Sequence, residues 1–170
     1  MTDLVVKSNK LVQALQTLNL NEARLLQLAI VDARETGQGL STEEPLELNA
    51  VRYAKAFNVS ADAAYLALSE AEDSLFKRQF TITNEDGTLT KSRWIQDANY
   101  RKGEGRILVT LTRVVIEHVT KIDGFEQYFT SYHLKKTADF KSVYAVRLYE
   151  LLMQWKAVGR TPAYELDRLR

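Results

Sequence analysis

The chain of 170 residues contains no cysteine, two prolines, seven glycines and two histidines. The absence of cysteine excludes disulfides, thiolate metal sites and cysteine nucleophiles, and it fits a reducing compartment. So little glycine and proline, beside 45% hydrophobic residues, excludes a disordered or fibrous protein. No apolar run approaches the ~18 residues of a membrane span, and charged residues interrupt the region where a signal peptide would be apolar. We therefore expect a globular protein of the cytoplasm that has no contact with membranes.

The motifs of common catalytic and nucleotide-binding sites are also missing. The sequence has no GxxxxGKS or GxxxxGKT phosphate loop, no GxGxxG, no HExxH and no GxSxG. Its two histidines, His118 and His133, are too far apart for the close pair of a metal-dependent strand-nicking enzyme; we expect the first on a helix surface and the second in a loop. Glu70, Glu72 and Asp73 are interpreted as the solvated face of a helix. The sequence therefore predicts a protein that is not an enzyme and that needs no cofactor or metal ion.

Charge is distributed unevenly, although the net charge is only +1. From Met1 to Phe76 the acidic residues outnumber the basic ones by eleven to six, and from Lys77 to Arg170 the basic residues outnumber the acidic ones by seventeen to eleven. This division predicts that the later elements form a surface that faces a polyanion, such as nucleic acid.

Hydrophobic spacing in the first half predicts three helices and one strand. The first helix, from about Asn21 to Glu35, is apolar over most of its circumference and ends at Gly37, so we place it at the centre of the fold. A short strand over 45–48 follows. Two further helices are joined by a tight turn and form a helix-turn-helix, from Asn49 to Phe57 and from Ser60 to Phe76, each beginning with a good capping residue.

The spacing then changes to the alternation that is typical of strands. We predict strands over 79–83, 89–98 and 107–112, with a flexible basic tip between the last two. The order helix, short strand, helix, turn, helix and β-hairpin is that of a winged helix. Basic residues collect on this predicted wing and just before it, where they would neutralise phosphates: Lys77, Arg78, Lys91, Arg93, Arg101, Lys102 and Arg106. The alternative is a solvated hairpin without a nucleic-acid contact.

The last third predicts two helices with an aromatic stripe between them. A short helix covers 114–122, and a long one from about Ser142 to Val158 is stopped by Gly159. Basic residues near the start of the long helix, Lys141 and Arg147 among them, offer further phosphate contacts beside its N-terminal NH groups. Four aromatic residues share the i, i+3, i+4, i+7 spacing of one helix face, which indicates a core or interface position: Phe125, Tyr128, Phe129 and Tyr132.

Three segments resemble theta-type plasmid replication initiators, and the likeness covers nearly the whole chain. They are the opening Leu4–Asn9, the helix start Leu20–Arg24 and, most specifically, the run Ser142–Leu152. Proteins of that family consist of two winged-helix domains joined by a short linker. The resemblance implies that the first domain mediates dimerisation and touches the DNA backbone, and that the second reads repeated origin sequences called iterons in the major groove. It also implies that monomers start replication, whereas dimers repress their own gene or pair origins.

The resemblance also implies a division of the chain. We expect an α+β winged-helix domain over 1–134, and a linker with the first helix of a truncated second winged-helix domain over 135–170. Because the sequence stops at Arg170, before the main recognition helix of that second domain, we expect an N-terminal portion of an initiator. Carried over by position, the helix that begins at Ser60 and the wing up to Arg106 would lie along phosphates, and Arg147 would belong to the second domain.

The sequence thus favours a non-catalytic initiator that binds double-stranded plasmid origin DNA and forms a homodimer, with a host replication initiator and the replicative helicase as further candidate partners. We expect the homodimer to bury either the sheet of the first domain or the long helix from Ser142 against a second copy, about a two-fold axis. Two alternatives remain open. A winged-helix repressor would bind an inverted-repeat operator with the same chemistry, whereas a protein-binding module would use the aromatic stripe and show no salt-dependent DNA binding.

Overall fold

The computed structural model describes residues 3–14, 16–101, 103–120, 126–165 and 167. Strand β1 (Leu4–Ser8) opens the chain and passes directly into the short helix α1 (Asn9–Val12). Ser8 makes this transition, because its side-chain oxygen accepts a hydrogen bond from the Leu11 N–H and so caps the helix.

Helix α2 (Leu20–Thr36) lies at the centre of the fold, as predicted. Asn19 and Glu22 form a capping box at its start, in which each side chain accepts a hydrogen bond from the other residue's backbone N–H. Gly37 ends the helix with a φ of 73°, a left-handed conformation that glycine adopts without strain. Most of the helix is buried, because other elements pack around nearly its whole circumference.

The helix-turn-helix prediction is confirmed in its elements. Strand β2 (Leu46–Asn49) leads into α3 (Ala50–Phe57), and α4 (Ala61–Lys77) follows after a tight turn. Asn58 makes this turn with a φ of 54°, a conformation that asparagine tolerates better than most residues. Helix α4 packs on both α2 and α3.

Four strands follow and form two small antiparallel sheets: β3 (Gln79–Thr83), β4 (Leu89–Arg93), β5 (Ile95–Arg101) and β6 (Arg106–Leu111). Strands β3 and β4 pair with each other. Strands β5 and β6 form the second hairpin, and β2 pairs with the other edge of β6, which gives the order β2–β6–β5. We call β5, β6 and the turn between them the wing hairpin.

The single strand predicted over 89–98 is wrong, because the chain bends at Trp94 and divides it between the two sheets. Trp94 and Ile95 are both buried although they are adjacent. Side chains of a straight strand alternate between its two faces, so a continuous strand would place them on opposite sides. The bend lets Trp94 pack against Phe80, with ring centroids 4.2 Å apart and ring planes tilted by 41°, and a bulge follows between Ile95 and Asp97.

The structure also corrects the prediction of an aromatic stripe on one helix face. Helix α5 (Arg113–Val119) follows the sheets, and the chain then enters strand β7 (Phe129–His133), which pairs antiparallel with β1. Tyr128 lies in a 3₁₀ turn and is exposed, whereas Tyr132 is buried on the strand; Phe125 lies outside the described residues. The aromatic side chains therefore do not share a helix face, and the protein-binding module that depended on this stripe loses its basis.

Both histidine predictions are corrected as well. His118 lies on α5 but is half-buried, and its Nδ1 is 2.6 Å from the Ser8 hydroxyl. His133 is the last residue of β7, where it pairs in register with Leu4, and does not lie in a loop.

Helix α6 (Val143–Gln154) ends earlier than predicted and packs on α1, α2 and β7. Ser142 caps it by accepting a hydrogen bond from the Tyr144 N–H. Val146 and Leu151 are buried, whereas Leu148 is exposed. The helix is therefore covered on one side only, by elements of the first winged helix.

Candidate nucleic-acid interface

The turn of the wing hairpin brings two arginines together. Arg101 ends β5 and Arg106 begins β6, and their Cα atoms are partners in the strand register. Gly103 and Gly105 make the turn between them with positive φ values, and the Gly105 carbonyl accepts a hydrogen bond from the Ala50 N–H, which holds the turn against α3. Lys102, which was predicted to belong to this cluster, lies outside the described residues.

The two arginines of the turn differ in their partners. Arg106 is held by Glu104, with Nε to Oε2 2.6 Å, and by Glu47, with Nη1 to Oε1 3.3 Å, and the first of these carboxylates contributes most to raising the Arg106 pKa. Arg101 is exposed and has no ion pair among the residues that the structure describes. Arg101 is therefore the more available cation for an external phosphate.

The cations of β4 differ in the same way. Lys91 is exposed and makes no ion pair within the described part of the chain. Arg93 donates from Nη1 to the carbonyls of Phe76 and Lys77, at 3.4 and 3.3 Å, and so satisfies the last carbonyls of α4. Lys91 can reach a phosphate without breaking an ion pair of the fold, whereas Arg93 already stabilises a helix end.

Three further predicted contacts lie at the two ends of α4. Ser60 caps the helix by accepting a hydrogen bond from the Ala63 N–H. Lys77 is exposed and lies 3.5 Å from Asp73, one turn away. Arg78 donates from Nε to Oε2 of Glu22 at 3.1 Å, and the Glu22 side chain is fully buried. Arg78 therefore neutralises an internal carboxylate.

The outward face of α4 is acidic, which opposes the contact with phosphates predicted for this helix. Asp62, Glu70 and Asp73 are exposed on this helix, and Lys77 is its one basic residue. The interpretation of Glu72 as part of this solvated face is wrong. Glu72 is buried, where it accepts a hydrogen bond from the Tyr100 hydroxyl and where burial raises its pKa. A helix with this charge repels the DNA backbone. This favours β4 and the wing hairpin, which we together call the wing side, over α4 as a contact surface for phosphates.

The remaining predicted contacts lie at α6. Lys141 is exposed directly before the helix cap. Arg147 donates from Nη2 to the Ala14 carbonyl at 3.3 Å, so it fastens α6 to the segment after α1. These residues belong to the side of the molecule formed by β1, β7 and α6, and the wing hairpin belongs to a different sheet, β2–β6–β5.

The charged and polar residues in the segments that carry the resemblance hold the fold together. Arg24 donates to the carbonyls of Ala138 and Phe140 and lies over the Phe57 ring, 5.1 Å from its centroid. Lys7 pairs with Glu150 in the interior. These side chains make contacts inside the molecule. The segments that carry the resemblance therefore indicate which fold the chain adopts, and other residues must contact a ligand.

Two features are absent from the part of the chain that the structure describes. No helix there is long and apolar enough to cross a membrane. No group of three histidine, aspartate or glutamate side chains is arranged to hold a metal ion.

Comparison with known proteins decides the family. The model of the WH1 domain of initiator replication proteins matches residues 4–153. The chain belongs to this family. The match confirms the resemblance and the winged-helix fold that were predicted from the sequence. It includes most of α6, and the boundary predicted after residue 134 stays a prediction.

Solved structures agree with this assignment. The chain is similar to the WH1 domain of MSBI1.176, a replication protein isolated from a multiple sclerosis patient, with 35% identity and a TM-score of 0.50 over 62% of this chain and 88% of that one. It shares the fold of the Pi initiator protein, whose structure was solved in complex with iteron DNA, with 20% identity and a TM-score of 0.74 over 90% of this chain. The chain spans 64% of the Pi initiator chain.

One curated relative is an uncharacterized 27.6 kDa protein of Escherichia coli. It is 22% identical over 165 residues, which cover 91% of this chain and 68% of that protein. Both this relative and the Pi initiator are therefore longer than the chain of this WH1 family member.

Proposed function

We propose that this WH1 family member binds plasmid origin DNA through phosphate contacts of its wing side, without catalysis, and that it self-associates. The observation that supports this most directly is the pair Lys91 and Arg101. Lys91 lies on β4 and Arg101 ends β5, the next strand along the chain. Both are exposed, and neither has an ion pair among the described residues. Free cations of this kind release counterions when they meet a phosphate backbone.

The proposal assigns unequal roles to the ten residues that were predicted as DNA contacts. Lys91 and Arg101 make the principal phosphate contacts, and Lys77 and Arg106 are available as secondary ones, because they are at least partly exposed. Lys141 is exposed too, but it lies beside α6 and would meet a phosphate only outside the wing side. The other four residues stabilise the fold. Ser60 caps α4, Arg78 pairs with the buried Glu22 carboxylate, and Arg93 and Arg147 donate hydrogen bonds to backbone carbonyls. Lys102 remains a predicted contact in the turn.

The proposed contact reads no base sequence by itself. Phosphate contacts position a protein on DNA, whereas sequence is read from base edges in the grooves. The acidic α4 is a poor candidate for that reading. We therefore assign attraction to the duplex backbone to these cations, and we assign them no part in the recognition of iterons.

The test replaces Lys91 and Arg101 together by glutamine and measures affinity for a mixed-sequence duplex across a salt titration. We expect weaker binding at every salt concentration and a slope of log affinity against log salt that is shallower by about 0.9 for each phosphate that the variant no longer neutralises. Arg34→Gln with Lys55→Gln is the matched control, since both side chains are exposed and lie on other elements, α2 and α3. Equal salt slopes for wild type and the Lys91/Arg101 variant would exclude the wing side as the DNA surface.

Selection of bound sites from a random duplex library separates the initiator from a repressor. Direct repeats among the enriched sites support the initiator. An inverted repeat as the preferred site supports the alternative of a winged-helix repressor.

A further inference from the structure

The outer face of the sheet β2–β6–β5 carries charges of both signs. Arg106 and Leu108 alternate with buried residues of β6, so these two side chains share the outer face. Arg101 is the register partner of Arg106, and Glu47 is the register partner of Leu108. Because partners in an antiparallel pair lie on the same side of the sheet, this face holds one carboxylate and two arginines next to each other.

Two carboxylates hold the Arg106 side chain from two directions. The guanidinium donates from Nε to Oε2 of Glu104 at 2.6 Å and from Nη1 to Oε1 of Glu47 at 3.3 Å. Glu104 lies in the turn of the wing hairpin, and Glu47 lies on the neighbouring strand β2. The turn is fixed in turn by the hydrogen bond from the Ala50 N–H to the Gly105 carbonyl, at 2.9 Å. We call Glu47, Glu104 and Arg106 the Arg106 trio.

The Arg106 trio contains one cation and two carboxylates, so it does not attract a phosphate backbone as a free arginine does. Arg101, beside it on the same face, has no ion pair in the described part of the chain. The side chains of Arg106, Glu47 and Glu104 are 38%, 42% and 51% exposed, so water and DNA reach all three. Ion pairs with this exposure are weak, and removing the carboxylates releases the arginine at little cost to the fold.

We propose that Glu47 and Glu104 limit the affinity of the wing side for DNA by holding Arg106 away from the phosphate backbone. While the Arg106 trio is intact, Arg101 neutralises a phosphate and Arg106 does not. Because phosphate contacts carry no sequence information, the restraint lowers the affinity for every duplex alike. The two glutamates act through Arg106 and are positioning residues. This inference deepens the DNA binding in the proposed function, on which it rests.

The test releases Arg106 by replacing Glu47 and Glu104 together with glutamine, which removes both charges and keeps the size of the side chains. We expect this released variant to bind a mixed-sequence duplex about three- to tenfold more tightly than wild type. We also expect the slope of log affinity against log salt to be steeper by about 0.9, because Arg106 then neutralises one more phosphate. Fluorescence anisotropy of a labelled duplex across a salt titration measures both quantities.

Two comparisons separate the release of Arg106 from the loss of negative charge alone. Asp97→Asn with Glu70→Gln is the matched control, since both carboxylates are exposed and neither has an ion pair among the described residues. This control removes the same charge and releases no arginine, so we expect the salt slope of wild type. The second comparison adds Arg106→Gln to the released variant. We expect its slope to be shallower than that of the released variant by about 0.9, because the additional phosphate contact is lost.

Each contrary outcome has a distinct meaning. If the steeper slope survives the addition of Arg106→Gln, lost negative charge alone explains it and Arg106 is not a restrained contact. If the released variant binds DNA more weakly than wild type, the two glutamates orient Arg106 towards a phosphate, and the inference is reversed. If the released variant equals wild type while the Lys91/Arg101 variant has a shallower slope, the inference fails and the proposed function stands. If neither variant differs from wild type, both fail, because the wing side is then not the DNA surface.

Discussion

Lys7 and Glu150 form a buried ion pair that joins the first strand of the chain to its last helix. The Lys7 Nζ lies 2.7 Å from the Glu150 Oε2, and the two side chains are 10% and 5% exposed. Tyr132 donates from its hydroxyl to the same carboxylate oxygen at 2.5 Å and accepts a hydrogen bond from Gln27. Burial, with the Glu150 charge beside it, raises the Tyr132 pKa well above its ordinary value, so the hydroxyl stays protonated and keeps donating.

The first prediction concerns this ion pair. Lys7→Met leaves the Glu150 carboxylate buried without its cation, and Glu150→Leu leaves the Lys7 ammonium buried without its anion. Each single variant should lower the free energy of unfolding by about 3–5 kcal/mol, and the double variant by less than either one, because it leaves no buried charge unpaired. Urea unfolding of the four proteins measures the coupling. Additive losses would mean that the pair is not coupled.

The second prediction separates the structural role of Arg78 from a role in DNA binding. Arg78→Ala leaves the fully buried Glu22 without its cation, so we expect a loss of about 3 kcal/mol in the free energy of unfolding. Lys77→Ala, at the neighbouring exposed position, should stay within about 0.5 kcal/mol of wild type. DNA affinity per folded molecule should change little for Arg78→Ala. A stable Arg78→Ala variant with weak DNA binding would reverse the assignment.

The sequence predicted elements well where the signals are local. Asn49 and Ser60 cap helices through side-chain bonds to NH groups two or three residues away, and Gly37 ends α2 through its own φ. Signals of this range are visible in a short window of sequence. The central helix α2 and the two helices of the helix-turn-helix, α3 and α4, were therefore predicted to within two residues at each end.

The predictions failed where a distant segment decides the structure. The spacing of Tyr128, Phe129 and Tyr132 fits one helix face, but β1, more than a hundred residues earlier, offers a strand edge and draws this segment into a sheet. The same limit applies to the candidate site. Arg78 and Arg93 are basic residues near the predicted wing, and only the fold shows that Glu22 and the end of α4 already hold them. The sequence identifies basic residues that could contact phosphates. Only the tertiary contacts show which of those residues are not already paired within the fold.

The last prediction concerns the pH dependence of stability. His118 is half-buried beside the Ser8 hydroxyl, and burial lowers its pKa from the ordinary value of 6.5, an effect that outweighs the opposing influence of Glu117. Between the lowered pKa of the folded state and the ordinary pKa of the unfolded state, the unfolded chain binds more protons, so the free energy of unfolding falls as the pH falls through this window. Above the ordinary pKa the histidine is neutral in both states and this loss is absent.

Urea unfolding of wild type and His118→Gln between about pH 7.5 and pH 5.5 measures this effect, since that interval includes the ordinary histidine pKa. Glutamine can still form a hydrogen bond with Ser8 but does not titrate. We expect the free energy of unfolding to fall more for wild type than for the variant as the pH falls. Only wild type contains an imidazole whose protonation is opposed by burial in the folded state and unopposed in the unfolded state. The carboxylates are common to both proteins, so their titration cancels in the comparison. Parallel pH profiles would show that burial of His118 does not set its protonation.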